Sequence, residues 1–112
     1  MTTVSTGLKA EARAANYLQS CGYQVEAKNW RTRYCEIDII AKRSGVTYFV
    51  EVKYRRSSLQ GTGLDYITAK KLQQMRFAAE MWVSQKQWQG AYELLAFEIS
   101  GVEFNRGRLA IL

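Results

Sequence analysis

A chain of 112 residues, 47% of them hydrophobic, is sized for one domain around one core, and residues 1–112 are read as that domain. Its formal net charge of +6 suits a polyanionic partner, of which nucleic acid is the commonest, although an ordinary soluble basic surface gives the same balance. The absence of histidine excludes a Ser-His-Asp triad, a Cys-His pair, a histidine-ligated zinc and a histidine base, so hydrolysis would have to run on carboxylates, lysine, tyrosine and a bound metal.

The two cysteines, Cys21 and Cys35, cannot complete a four-ligand zinc site without histidine, and a disulfide framework is not expected from them. No apolar run approaches the roughly 20 residues of a membrane helix. The N-terminus lacks the charge and apolar pattern of a signal peptide, so a cytoplasmic setting is expected.

Gly7 to Ser20 reads as a helix, with Leu8, Ala12, Ala15 and Leu18 at helical spacing, Thr6 as N-cap and Gly22 as C-terminal cap. Tyr23 to Trp30 reads as a first strand, and Cys35 to Lys42, rich in isoleucine, as a second. Arg43 to Gly45 is a tight turn leading into a third strand, Val46 to Arg55, so these two runs predict an antiparallel hairpin. Arg56 to Gly63 reads as a loop. Leu64 to Gln87 predicts a long helix, with Leu64, Ile67, Met75, Ala78 and Trp82 along one face and Gly90 breaking it. Ala91 to Ile99 and Val102 to Leu112 predict two more strands. The expected fold is α/β (α+β): a central mixed sheet of five strands flanked by two main helices, in the order α-β-β-β-α-β-β.

The informative residues are charges placed where burial is expected. In Cys35-Glu36-Ile37-Asp38-Ile39-Ile40, alternation puts Glu36 and Asp38 on one face of a strand whose isoleucines argue for burial. In Phe49-Val50-Glu51-Val52-Lys53-Tyr54, Glu51 and Lys53 share a face, with Val50 and Val52 on the other. A hairpin between the strands brings Asp38 toward Glu51 and Lys53. Glu11 falls on the apolar stripe of the first helix, four residues before Ala15 and seven before Leu18, where a carboxylate needs a partner, a metal or an open cleft. Lys71, four residues from both Ile67 and Met75, stands on or beside the apolar face of the second helix. An isolated Glu-x-Lys on a strand is ordinarily a solvated cross-strand pair, and a lysine at the edge of an apolar face can snorkel. The combination is what carries weight. Mg²⁺ takes hard oxygen ligands and activates water, and a lysine beside it can stabilise charge on a phosphodiester; Asp38, Glu51 and Lys53 supply those parts without histidine.

Asp38…Glu51-Val52-Lys53 resembles the PD-(D/E)xK signature of restriction-endonuclease-like nucleases. The longer pattern Gly7…Glu11…Leu18…Gly22-Tyr23…Asn29-Trp30-Arg31…Glu36-Ile37-Asp38-Ile39-Ile40-Ala41…Phe49-Val50-Glu51-Val52-Lys53…Lys71…Ala78-Ala79 resembles the small bacterial YraN-like (UPF0102) family over residues 7–83, with the last two strands alike only in general character. The resemblance implies a restriction-endonuclease-like core and kinship with archaeal Holliday-junction resolvases. It implies Asp38 and Glu51 as Mg²⁺ (or Mn²⁺) ligands, Lys53 as catalytic lysine, Glu11 as an additional acid contacting metal or water, and Glu36 as a further site acid. Lys71 matches a helix lysine that faces the site. Cys35 stands where the family usually has glycine, and Tyr54 where it has a small polar residue; both positions are expected beside the site, where bulk narrows access.

The expected function is a metal-dependent nuclease acting on DNA, branched or single-stranded. The alternative is a non-catalytic nucleic-acid-binding module on the same fold, and a third reading is a protein-interaction domain. Arg31, Arg33, Arg55, Arg56 and Lys71 are expected DNA contacts, together with Lys42 and Arg43 near the ends of the same strands. Trp82, Trp88 and Tyr92 are read as core or interface rather than stacking platforms. A resolvase-like activity implies a homodimer, formed through an edge strand or those aromatics.

Overall fold

The computed structural model describes residues 3–55, 67–101 and 106–112. Its elements run α1 (Thr3–Ser20), β1 (Gln24–Arg31), β2 (Glu36–Arg43), β3 (Val46–Arg55), α2 (Ala69–Lys86), β4 (Tyr92–Ser100) and β5 (Arg106–Ile111). The order is the expected one. The strands form a single sheet in the order β1-β2-β3-β4-β5, antiparallel throughout except for the parallel β3–β4 pair. That parallel step follows from the chain crossing over through α2, since parallel neighbours cannot be joined by a tight turn. No helix among the described residues is long and apolar enough to cross a membrane.

The helices cover opposite faces of the sheet. On one, α1 presses Ala10, Ala14, Ala15 and Leu18 onto Ile39, Val50, Leu95, Phe97 and Ile99. On the other, α2 presses Met75, Ala78, Ala79 and Trp82 onto Ile37, Ile40, Phe49 and Leu94. Adjacent pairs such as Phe49/Val50 and Leu94/Leu95 divide between the two cores, as strand alternation requires.

Local signals explain the element ends. α1 closes as expected on Gly22, whose φ of 91° suits glycine. Gly22 N–H donates to the Gln19 carbonyl and Tyr23 N–H to the Leu18 carbonyl, while Leu18 and Tyr23 meet in the α1 core. The start of α1 differs from the expectation: the helix begins at Thr3, so Thr6 lies inside it rather than capping it. The β2–β3 turn uses Ser44 (φ 53°) and Gly45 (φ 79°), the left-handed pair that a two-residue hairpin favours.

α2 is shorter than expected. Thr68 is its N-cap, its hydroxyl accepting from Lys71 N–H at 3.0 Å, and Ile67 packs just before it into the same core as Leu72. Ile67 therefore contributes to the apolar stripe from outside the helix, and Leu64 and the loop expected over 56–63 lie outside the described residues. At the other end Gln87, not Gly90, takes the left-handed turn, with Trp88 N–H donating to the Val83 carbonyl. Gly90 has a different role: a Cβ there would stand 2.6 Å from the Trp88 ring, so the indole demands glycine.

Candidate active site

The β2–β3 ladder runs from the turn at Arg43↔Val46 as far as Ile39↔Val50. Beyond it, Val52 N–H donates to the Asp38 carboxylate at 2.8 Å, so a side chain takes over where backbone pairing stops. Alternation slips at the same point, since Ile37 and Ile40 both pack toward α2. Asp38 is thereby held at a fork between strands. Burial pushes its carboxyl up to about 7; the Glu51 carboxylate adds to the rise, and the Val52 hydrogen bond opposes it.

The fork opens into a cleft of about 600 Å³ between the sheet and α2, walled by Glu36, Asp38 and Glu51 on the sheet side and by Lys70, Lys71, Gln74 and Phe77 on the helix side. Glu36 and Asp38 both line this cleft, although the slip in alternation around Ile37 means that strand period alone does not put them there. Glu51 Oε2 accepts from Lys71 Nζ at 3.1 Å, so the Lys71 ammonium meets a carboxylate of the cleft wall. Glu36 pairs with Arg31 at 3.4 Å, both well exposed.

Glu11 arrives from the α1 side. Its Oε1 is buried without a hydrogen-bond partner among the described residues. Burial raises its carboxyl, Glu36 and Glu51 raise it further, and Lys28 and Arg31 partly offset them. Glu36 and Glu51 therefore act on both Glu11 and Asp38, although the four acids come from three elements. Among the described residues, no three of the Asp, Glu and Cys side chains are already drawn into metal-binding geometry.

Lys53 is exposed on β3 two residues beyond Glu51, and the walls of the cleft do not include it. Its register neighbour on β4 is Glu98, which pairs in turn with Arg108 on β5, giving a row of alternating charge across the sheet. Glu98 is half-buried, with Oε2 enclosed. Glu98 carries the same signal as the acids of β2 and β3, one carboxylate inside the apolar run Leu94-Leu95-Ala96-Phe97-Glu98-Ile99, and is not among the site residues expected from the sequence.

Of the two departures from the family pattern, Cys35 does line the cleft, with Sγ 3.7 Å from Met81 Sδ. Tyr54 does not. It packs against the α1 core with its hydroxyl donating to the Gly101 carbonyl at 3.3 Å, because it alternates with Lys53 and so points to the opposite face.

Lys71 apart, the basic side chains named for DNA contact lie, among the described residues, at both ends of β2. Arg31 and Arg33 stand at the site end of the sheet. Lys42 and Arg43 stand at the β2–β3 turn, Lys42 bound to Glu26 and lying over the Trp88 ring, Arg43 lying over Tyr23. As expected they stand at an end of a site-bearing strand, but it is the end of β2 away from Glu36 and Asp38, and the walls of the cleft do not include them. The side chain of Arg55, and Arg56 entirely, lie outside the described residues. Trp82 is buried against Phe49, which makes it core rather than interface.

Comparison with known proteins extends the residue-level match. A UPF0102 protein of Nocardia farcinica is 34% identical over 106 residues, covering 95% of this chain and 82% of its own length. One of Cytophaga hutchinsonii is 33% identical over 103 residues, covering 92% and 91%. One of Rhodopseudomonas palustris is 44% identical over 78 residues, covering 70% and 58%. The family model described as "Uncharacterised protein family UPF0102" matches residues 10–102, so the likeness continues through β4, past the end at residue 83 expected from the motifs. With its acid-bearing fork inside that match, the chain belongs to the UPF0102 family.

Proposed function

We propose that the chain is a Mg²⁺- or Mn²⁺-dependent nuclease that hydrolyses DNA phosphodiester bonds in branched or single-stranded substrates. The observation that carries this reading is the fork itself. In a chain of net charge +6 it sets Glu36 and Glu51 where both act on Glu11 and Asp38, with Asp38 pushed up to about 7, first by burial, and Glu11 Oε1 buried without a hydrogen-bond partner among the described residues. Such a cluster is what a hard divalent cation relieves, and an all-oxygen donor set fits Mg²⁺ better than a softer metal. Asp38 and Glu51 would hold the cation, with Glu11 contacting it directly or through water. When bound, the cation lowers the pKa of a water and neutralises charge on the phosphodiester.

The chain's own side chains do the rest. Val52 N–H fixes the Asp38 carboxylate. Lys71 holds Glu51 in place until a cation competes for it. Lys53 presents an ammonium at the open end of the same strand, where it stabilises negative charge building on the phosphate oxygens. The element order is the one expected of a restriction-endonuclease-like core, and the apolar α1 face gives the site a rigid backing.

A second reading, a non-catalytic nucleic-acid-binding module, draws on one observation: Lys71 Nζ already occupies Glu51, so an ammonium does part of a cation's work. A cleavage panel separates the two. The purified chain is incubated with branched, single-stranded and duplex DNA, with Mg²⁺, Mn²⁺ or EDTA. The expected result is metal-dependent cleavage that is lost in Asp38→Ala and Lys53→Ala. Salt-sensitive binding without cleavage of any substrate favours the module.

A further inference from the structure

Two aromatic rings that the catalytic reading does not use stand on the same cleft as the carboxylates. Tyr34 is 69% exposed and Phe77 is 48% exposed, and both line it. They belong to different elements, Tyr34 to the β1–β2 turn and Phe77 to α2. Neither is there by accident of a loose loop. Thr32 Oγ1 accepts from both Tyr34 N–H at 3.0 Å and Cys35 N–H at 3.2 Å, and Thr32 N–H donates to the Cys35 carbonyl at 2.8 Å. The same hydroxyl and the Cys35 thiol reach Met81 Sδ at 3.5 and 3.7 Å, which ties the turn to α2. The turn that carries Tyr34 is thus held in place, and the helix that carries Phe77 is anchored through Trp82. The backbone positions from which both rings project are therefore fixed on the same cleft that the acids line.

The charge around them is complementary to a phosphate chain. Arg33 lies over the Tyr34 ring, its guanidinium 5.3 Å from the centroid. Lys70 and Lys71 occupy the first turn of α2, which has no acidic residue, although the helix dipole there favours anions over cations. Lys71 answers to Glu51, whereas Lys70 is exposed on the cleft wall. An open cleft with exposed ring faces, cations at its rim and acids at its floor suits a flexible strand whose bases are unstacked. Paired bases in a duplex keep their faces against one another and cannot use the rings.

We infer that Tyr34 and Phe77 are base-stacking platforms, and that the cleft takes an unpaired stretch of nucleic acid rather than a duplex. This rests on the proposed function for the role of the acids between the platforms, but its test reads binding and not cleavage. A fluorescent oligothymidylate of about 12 nucleotides is titrated against the intact chain in Mg²⁺, with Lys53→Ala as common background to keep the strand whole. A hairpin duplex of equal phosphate count is the comparison.

The single strand is expected to bind at least about tenfold tighter than the duplex. Tyr34→Ala and Phe77→Ala are each expected to weaken single-strand binding by about tenfold, the size of effect that losing one stacked base produces, with less than about twofold change for the duplex. Tyr34→Phe and Phe77→Tyr should restore binding, since both keep a ring face. Both positions are exposed, and unchanged thermal unfolding confirms that the alanine variants are folded. Equal affinity for duplex and single strand, or alanine variants that bind as the parent does, overturns the inference. If platform-dependent binding is found but the wild-type chain cuts nothing, the nuclease reading fails and this one stands. If the wild type cuts duplex as readily as single strand and the alanine variants are indifferent, the reverse holds.

Discussion

The two faces of the sheet are built to different ends. The α1 face is nearly continuous aliphatic and aromatic packing, with Leu18, Ile39 and Phe97 fully enclosed. The α2 face begins the same way around Phe49 and Trp82, then gives way to Glu36, Asp38 and Glu51 along the cleft. Both faces carry a packed core, but the cleft lies on the α2 side alone, and on the proposed reading that is the side that carries the chemistry. The lesson is a division of labour: substitutions on the α1 face should report on stability, and those at the fork on metal response and activity.

The sharpest test of that division is activity. Glu51→Ala should lower metal-dependent cleavage by at least about a hundredfold, the usual cost of deleting one electrostatic contributor to a transition state. Its unfolding midpoint in urea should stay near wild type, because the pair it loses with Lys71 is partly exposed. An equally large loss of stability would break the comparison.

On the other face, Phe97→Ala should cost about 3–5 kcal/mol in chemical denaturation, as truncating a fully buried aromatic does. The Phe97 ring also packs against Tyr17 and fills the space where a Cβ on Gly107 would stand, so the cavity cannot readily collapse.

The pH dependence follows from Asp38. Its carboxyl is raised from 3.8 to about 7, so the folded state holds a proton that the unfolded state releases. The stability this contributes is fully present at pH 3.8 and below, and is lost as pH rises through about 7. Glu11, also raised, acts in the same direction. Urea unfolding of the metal-free chain should show lower stability at high pH than at low pH, by on the order of 1–2 kcal/mol once solvent screening is allowed for. Asp38→Asn should flatten most of that slope while still accepting from Val52 N–H, and Mg²⁺ should raise the wild-type midpoint at high pH and leave the variant unmoved. A wild-type chain equally stable across the range would remove the cost of a buried carboxylate beside other acids, on which the cation argument depends.

The smallest expected effect lies at Thr47 on β3. It is fully buried, and its hydroxyl finds no hydrogen-bond partner among the described residues. Thr47→Val should be neutral or stabilising by up to about 1 kcal/mol, because it removes an unmet polar group without changing shape. A clear destabilisation would reveal a partner for that hydroxyl.

The sequence by itself determined the element order, the helix closing on Gly22 and the hairpin at Ser44-Gly45, because those signals are local: spacing, caps and backbone freedom act within a few residues. It also singled out Asp38, Glu51 and Glu11, since a charge in an apolar run is visible wherever the run goes. Other features depended on how the strands meet. That Asp38 sits at a fork, accepting from Val52, follows from where the ladder ends. That Glu98 stands beside Lys53 is a consequence of register, which no single strand encodes, whereas the face Tyr54 takes follows from alternation with Lys53 along one strand. The ends of α2 are set by local caps at Thr68 and Gln87, while tertiary packing decided that Ile67 reaches the core from outside the helix and that the Trp88 ring claims the space at Gly90.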